Sequence, residues 1–122
     1  MAQLSLAAGA ILGFLAVALG AFGAHALKAR LAPDLLAVWK TANEYHVYHA
    51  LALVLVGLLA RTTKVGLLGP TAVCFLLGVL VFSGSLYVLA LTGTRWLGAI
   101  TPIGGLLLLA GWALLAVGAL KS

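Results

Sequence analysis

Glu44, His46 and His49, set among Tyr45 and Tyr48, form the densest group of chemically capable side chains in this sequence. A carboxylate and two imidazoles can hold a metal ion, ligate a haem or pass protons. On a helix turning about 100° per residue, Glu44 and Tyr48 share one face and Tyr45 and His49 the next, with His46 about 60° from His49. His25 lies within loop reach, so one rim is expected to gather His25, Glu44, His46 and His49. His46 and His49 would share a metal ion, His25 and His49 would supply axial ligands to a haem, or Glu44, His49 and the tyrosines would relay protons. No HxxxH or ExxH spacing exists, because Glu44 stands only two residues before His46. The plainer reading has the tyrosines and histidines anchoring at a membrane surface, with Glu44 paired to Lys40 four residues earlier.

The elements that must carry these residues are long apolar runs. Residues 4–24, 47–60, 65–92 and 96–120 are almost free of charge, and a helix needs roughly 20 apolar residues to cross a bilayer. The chain is 65% hydrophobic and 7% charged, where soluble domains carry about 25% charge, so a soluble domain is excluded. The fold class is therefore all-α: one integral membrane domain over residues 1–122, a bundle of four transmembrane helices near 4–27, 41–60, 65–92 and 96–120. Pro33-Asp34 starts a short interfacial helix between the first and second spans, with Trp39 at head-group level and its N–H wet. Ala24-His25-Ala26 looks like a signal-cleavage site, but no Lys or Arg precedes the run and the run is too long for a signal core.

The net charge of +5 comes from Lys28, Arg30, Lys40, Arg61, Lys64, Arg95 and Lys121, all at span ends or in loops. That placement fits head-group contact and topology setting, and argues against nucleic acid. The tight basic loop at 61–64 favours a cytoplasmic location for both termini. Cys74 is the one cysteine, so no intrachain disulfide can form.

Small and hydroxylic residues mark the remaining features. Gly9 and Gly13 form a GxxxG pair, expected to pack within the chain, and Gly104, Gly111 and Gly118 recur at a spacing of seven as a flat stripe. Ser83, Ser85, Tyr87 and Thr101 read as interhelical hydrogen-bonding groups. Residues 12–15 and 77–80 share a loose Leu-Gly pattern that hints at two related hairpins. No nucleophile elbow, phosphate loop, dinucleotide motif or zincin helix is present.

Four blocks carry a family resemblance. They are Gly20-Ala21-Phe22-Gly23-Ala24-His25-Ala26-Leu27; Trp39-Lys40-Thr41-Ala42-Asn43-Glu44-Tyr45-His46 with His49-Ala50-Leu51; Phe82-Ser83-Gly84-Ser85-Leu86-Tyr87; and Thr101-Pro102-Ile103-Gly104-Gly105 with Gly111-Trp112. Together they resemble the family known as domain of unknown function 423, which is similar to eukaryotic transmembrane protein 256. The resemblance covers nearly the whole chain. It implies a four-span bacterial membrane protein with no assigned activity. It departs at His46, where the family pattern often has Gln, which weighs against an obligate metal or haem role there.

The sequence-based expectation is a non-enzymatic protein of the bacterial plasma (inner) membrane without a cofactor. Its partners would be the lipid bilayer and either copies of itself or a larger membrane complex, met through the glycine faces. The alternatives are a small transporter or channel for a proton, ion or small solute using Glu44, His49 and His25, and a haem- or metal-binding protein. The candidate polar site comprises His25, Glu44, Tyr45, Tyr48, His49, Ser83, Ser85, Tyr87 and Thr101.

Overall fold

A computed structural model describes residues 1–122. It contains helices and no strands: α1 (Ala2–Phe22), extended by one wide π turn over Gly23–Leu27, then α2 (Pro33–Thr62), α3 (Leu68–Thr92), a 3-10 turn at Arg95–Ala99, and α4 (Thr101–Lys121). All four helices are long and apolar enough to cross a membrane. Large apolar side chains cover the outside, among them Leu4, Phe14, Val17 and Leu106. Such a surface would aggregate in water and is matched to hydrocarbon. The four-span, all-α membrane architecture expected from the sequence is the one observed.

Local sequence sets the helix ends. Ala32 is extended (ψ 152), as the residue before proline must be, and Pro33 opens α2 with Asp34 in its first turn. Gly93 closes α3 in the left-handed conformation (φ 70), and its N–H bonds the Leu89 carbonyl. Pro70 is harmless because it stands in the first turn of α3, where its missing N–H has no helical partner to lose.

The short interfacial helix expected ahead of the second span runs straight into it, as the beginning of α2. At 30 residues α2 is about 45 Å long, beyond the roughly 30 Å of bilayer hydrocarbon. Counting roughly 20 residues back from Ala60 reaches Thr41, so the turns before Thr41 project past the apolar slab. At that end Asp34 and Arg95 form the only ion pair, at 3.0 Å and largely exposed. The expected Lys40–Glu44 pair is not formed.

Trp39 departs from its expected place. It is 2% exposed rather than half wet, and its Nε1–H donates to the Leu19 carbonyl at 3.0 Å. The reason is rotational: Trp39 lies on the same helical face as Ala42, His46 and His49, all buried, so it turns towards the bundle and not the head groups. Gly23 opposite has no side chain, and a Cβ there would overlap the indole. Trp96, in the 3-10 turn between α3 and α4, is by contrast 67% exposed.

The extensive packing runs between consecutive helices, α1 on α2, α2 on α3 and α3 on α4. Apolar burial drives little helix association in lipid, so close approach at small residues has to supply it. Gly9 faces Val54 and the Ala50 carbonyl, and Gly57 faces Leu6 and the Ala2 carbonyl. On the other side, Gly104 meets the Phe82 backbone, Gly111 meets Phe75 and Cys74, and Gly118 meets the Gly66 carbonyl. The stripe expected to serve assembly between molecules is thus spent on α3 and the residues just before it in the same chain. A seven-residue repeat keeps one face of α4 turned to the same neighbour along its length. Gly9 packs within the chain as expected, whereas Gly13 faces open space. Gly78 meets Leu108, so the two Leu-Gly patterns do different packing jobs.

These contacts predict opposite outcomes at two glycines. Gly104→Ala forces α3 and α4 apart and should cost about 1–3 kcal/mol, the usual range for overpacking. Gly13→Ala should be neutral or gain up to about 1 kcal/mol of helix propensity. Unfolding in mixed micelles measures both, and equal effects would refute the assignment of the α4 stripe to α3.

Candidate functional site

Trp39, Ala42, His46, His49 and Leu53 recur at three- and four-residue steps along the buried face of α2, with Ala50 buried beside them. The small Ala42 and Ala50 let α1 and α3 come near, and the polar members then reach carbonyls and side chains of those helices. Two polar clusters result, at the two edges of this buried face.

The first cluster joins α1, α2 and α3. Asn43 Nδ2 donates to the Ala16 carbonyl at 2.8 Å and to the Tyr87 hydroxyl at 3.1 Å. His46 Nδ1 lies 2.9 Å from the same hydroxyl. With Tyr87 accepting from Asn43 and giving its own proton to His46 Nδ1, the imidazole proton sits on Nε2. That nitrogen is buried and makes no hydrogen bond within normal geometry, the Leu12 carbonyl being the polar group near it. Ser83 Oγ donates to the Ala42 carbonyl at 2.7 Å, one turn away.

The second cluster joins α2 to α4. The Trp112 indole N–H donates to His49 Nε2 at 3.0 Å, and His49 Nδ1 lies 2.7 Å from the Tyr45 carbonyl. An indole nitrogen can only donate, so Nε2 must accept and Nδ1 must carry the proton to Tyr45. Both nitrogens are therefore occupied in a single tautomer. Phe75 meets the His49 and Trp112 rings at centroid distances of 5.4 and 4.8 Å. Tyr45 leans on Phe82 at 4.8 Å. The rings of Tyr45, His49, Phe82 and Trp112, with Pro102, Gly105, Leu106 and Leu109, wall a hollow of ≈ 500 Å³ between α2 and α4. Leu106 and Leu109 are both 67% exposed, so the hollow opens sideways, towards lipid.

Of the expected site residues, Tyr45 and His49 meet in the second cluster, while Tyr87 and Ser83 serve the first. Ser85 and Thr101 pair with each other, their hydroxyls 2.6 Å apart, and tie α3 to the start of α4. His25 is exposed on the wide turn, Glu44 is exposed without an ion pair, and Tyr48 is half exposed against Tyr45. The expected rim of His25, Glu44, His46 and His49 does not assemble. His46 turns to Tyr87 and His49 to Trp112, so they share no ion, and His25 and His49 do not flank a common space. No three His, Cys, Asp or Glu side chains come together as a metal site.

Four contributors fall outside the expected set: Ser5, whose Oγ donates to the Leu53 carbonyl at 2.7 Å, Trp39, Asn43 and Trp112. Two carried a readable signal. Asn43 is the only asparagine, and Trp112 stands mid-span. In hydrocarbon an amide and an indole N–H must both find acceptors in the protein.

The fold and its polar clusters define a class, an integral membrane protein whose spans are fastened by interhelical hydrogen bonds. The profile of the family described as Protein of unknown function (DUF423) matches residues 19–105, and the chain belongs to that family. The match takes in Trp39, Asn43, His46, His49, Ser83, Ser85, Tyr87 and Thr101, and stops short of Trp112. The chain is also similar to UPF0382 membrane proteins of Staphylococcus haemolyticus and Staphylococcus epidermidis, each 45% identical over 113 residues, 93% of this chain and 92% of the relative. The corresponding protein of Staphylococcus aureus is 42% identical over the same shares. No solved structure matches.

Two measurements test the clusters. Tyr87→Phe strands His46 Nδ1 and one Asn43 proton, and should cost about 1–2 kcal/mol. Added to Asn43→Ala, it should cost much less than the sum of the single changes, and strict additivity would contradict the shared hydroxyl. Trp112→Phe keeps the ring but orphans His49 Nε2, and should destabilise by about 1 kcal/mol. Combining it with His49→Leu removes both partners and should recover part of that loss; a double variant weaker than either single would sink the pairing.

Proposed function

We propose that the protein is a non-catalytic accessory subunit of the bacterial plasma membrane, working by lateral association within the bilayer. The observation that carries this reading is the aromatic-walled hollow between α2 and α4. It is large enough for bulky apolar side chains, opens towards lipid, and is walled almost wholly by apolar and aromatic groups, the Tyr45 hydroxyl being its one free polar group. Its one imidazole is committed on both nitrogens to Tyr45 and Trp112. The occupant fitting such a recess is an apolar face of a partner's transmembrane helix, anchored by large side chains in a pocket.

Other features agree. Neither acid, Asp34 or Glu44, contacts a buried base, so no acid–base pair for catalysis is assembled. The separation of Glu44, His49 and His25 leaves a transport pathway without a common line of groups. The glycine faces are used within the chain, which moves the expected association surface from the stripe to the hollow. The bacterial membrane assignment is supported by the staphylococcal relatives and their description as membrane proteins.

Gly105 offers a clean test. A Cβ there makes only ordinary contacts with Phe82, at 3.7 Å, so Gly105→Leu fills the hollow while leaving the core alone. Native mass spectrometry of the protein released gently from its own membrane should show a second polypeptide with the wild type and lose it with Gly105→Leu. Multiples of the chain alone in both would rule out the accessory role. A homo-oligomer abolished by Gly105→Leu would make the occupant a second copy.

A further inference from the structure

A smaller recess lies on the opposite flank, where α1 and α2 leave the membrane. It measures ≈ 180 Å³ and is lined by Gly20, Gly23, Ala24, Trp39, Lys40, Asn43 and Glu44. Independently of the hollow between α2 and α4, we propose that it binds the zwitterionic head of an aminophospholipid, with the phosphate on Lys40 and the ammonium on Glu44 and Asn43 Oδ1.

Three observations support this. The first is polar capacity left unused. Asn43 spends Nδ2 on Ala16 and Tyr87, which fixes the amide plane and turns Oδ1 towards Gly20, where it accepts no hydrogen bond. That oxygen is not sealed off, since the one buried polar side-chain atom without a partner is His46 Nε2. Lys40 and Glu44 are exposed and form no ion pair with each other, although they stand four residues apart. Lysine preceding glutamate is the less favourable order for such a pair on a helix. The recess therefore offers one cation and two acceptors, the complement of a phosphate joined to a primary ammonium.

The second is depth. The roughly 20-residue hydrocarbon span of α2 ends near Thr41, and Lys40 and Glu44 bracket that level. Gly20 and Gly23 hold the same level at the end of α1. A ligand here meets the recess from the head-group layer. The third is size. At about 30 Å³ per water the recess equals roughly six waters, the scale of a lipid head and too small for a flavin or haem. The acyl chains would remain in the bilayer beside α1.

The chemistry separates the candidate lipids. A choline head has no N–H to give Glu44 and Asn43, and a glycerol head has no cation for Glu44. Lys28 and Arg30, on the same end of the chain, attract any anionic lipid without selecting one, and salt weakens that attraction.

The test is native mass spectrometry of the full chain in detergent, titrated with phosphatidylethanolamine, phosphatidylcholine and phosphatidylglycerol of identical acyl chains. The expected result is one ethanolamine lipid per chain, bound about tenfold more tightly than either other lipid, a difference of about 1.4 kcal/mol. Glu44→Gln should bring the ethanolamine lipid down to the choline level without weakening the glycerol lipid, while Lys40→Gln should weaken all three. Both side chains are exposed, and an unchanged unfolding midpoint confirms that each variant folds. Equal binding of ethanolamine and choline lipids overturns the proposal, as does an ethanolamine preference that survives Glu44→Gln. A glycerol-lipid preference that fades in salt also overturns it, in favour of a general basic surface. Soluble phosphoethanolamine should not displace the lipid; displacement at comparable concentration would overturn the bilayer as the source.

Discussion

A polar side chain held in hydrocarbon can bond only to protein, and the polar contacts between the spans of this molecule answer that constraint. Asn43, His46 and Tyr87 bond to one another and to α1. His49 and Trp112 bond across α2 and α4, Ser85 and Thr101 across α3 and α4, and Ser5 and Ser83 to carbonyls of α2. Each such bond in a membrane is worth about 0.6 kcal/mol on average, so none dominates. Their value is directional. An apolar helix can slide or rotate on another at little cost, whereas Asn43 reaches the Ala16 carbonyl and the Tyr87 hydroxyl together in only one register.

Glycine makes those reaches possible. An Asn or Trp side chain bonds a neighbouring backbone only if the helices approach closely, and Gly20 and Gly23 open α1 where Asn43 and Trp39 arrive. The wide turn over Gly23–Leu27 begins where the Leu19 carbonyl accepts both the Gly23 N–H and the Trp39 indole. Glycine packing and polar bonding are thus one device, with the small residue on one helix and the reaching residue on the next. α3 and α4 rely more on the glycine stripe and less on polar bonds, and the hollow opens beside them.

The spans were legible in the sequence because run length and charge placement report hydrocarbon thickness directly. So were the hydroxyls Ser83, Ser85 and Thr101, which have little else to do in lipid than bridge helices. What was not legible depends on rotation. Trp39 read as interfacial because tryptophans favour that layer, but the continuation of α2 through Pro33 placed it on the buried face. The stripe at Gly104, Gly111 and Gly118 looks identical whether its partner is α3 or another molecule, and only the helix pairing decides. Glu44, His46 and His49 looked like one rim, with His25 in loop reach of it, whereas steps of two and three residues on α2 send the three to different neighbours and His25 stays on the wide turn.

Asn43 and Glu44 show how finely this is divided. They are adjacent, and about 100° of helix rotation separates them. The amide turns inward, where both its protons are used. The carboxylate turns outward at the membrane surface, where it needs no buried partner. Reversed, the arrangement would bury a charge among aliphatic side chains, a cost of several kcal/mol without a paired cation, and leave an amide idle at the surface. The same rotation that protects the interior keeps Glu44 beside Lys40 and the accepting face of Asn43, so apart from the buried His46 Nε2 the unspent polar groups of the α1–α2 seam collect at head-group depth.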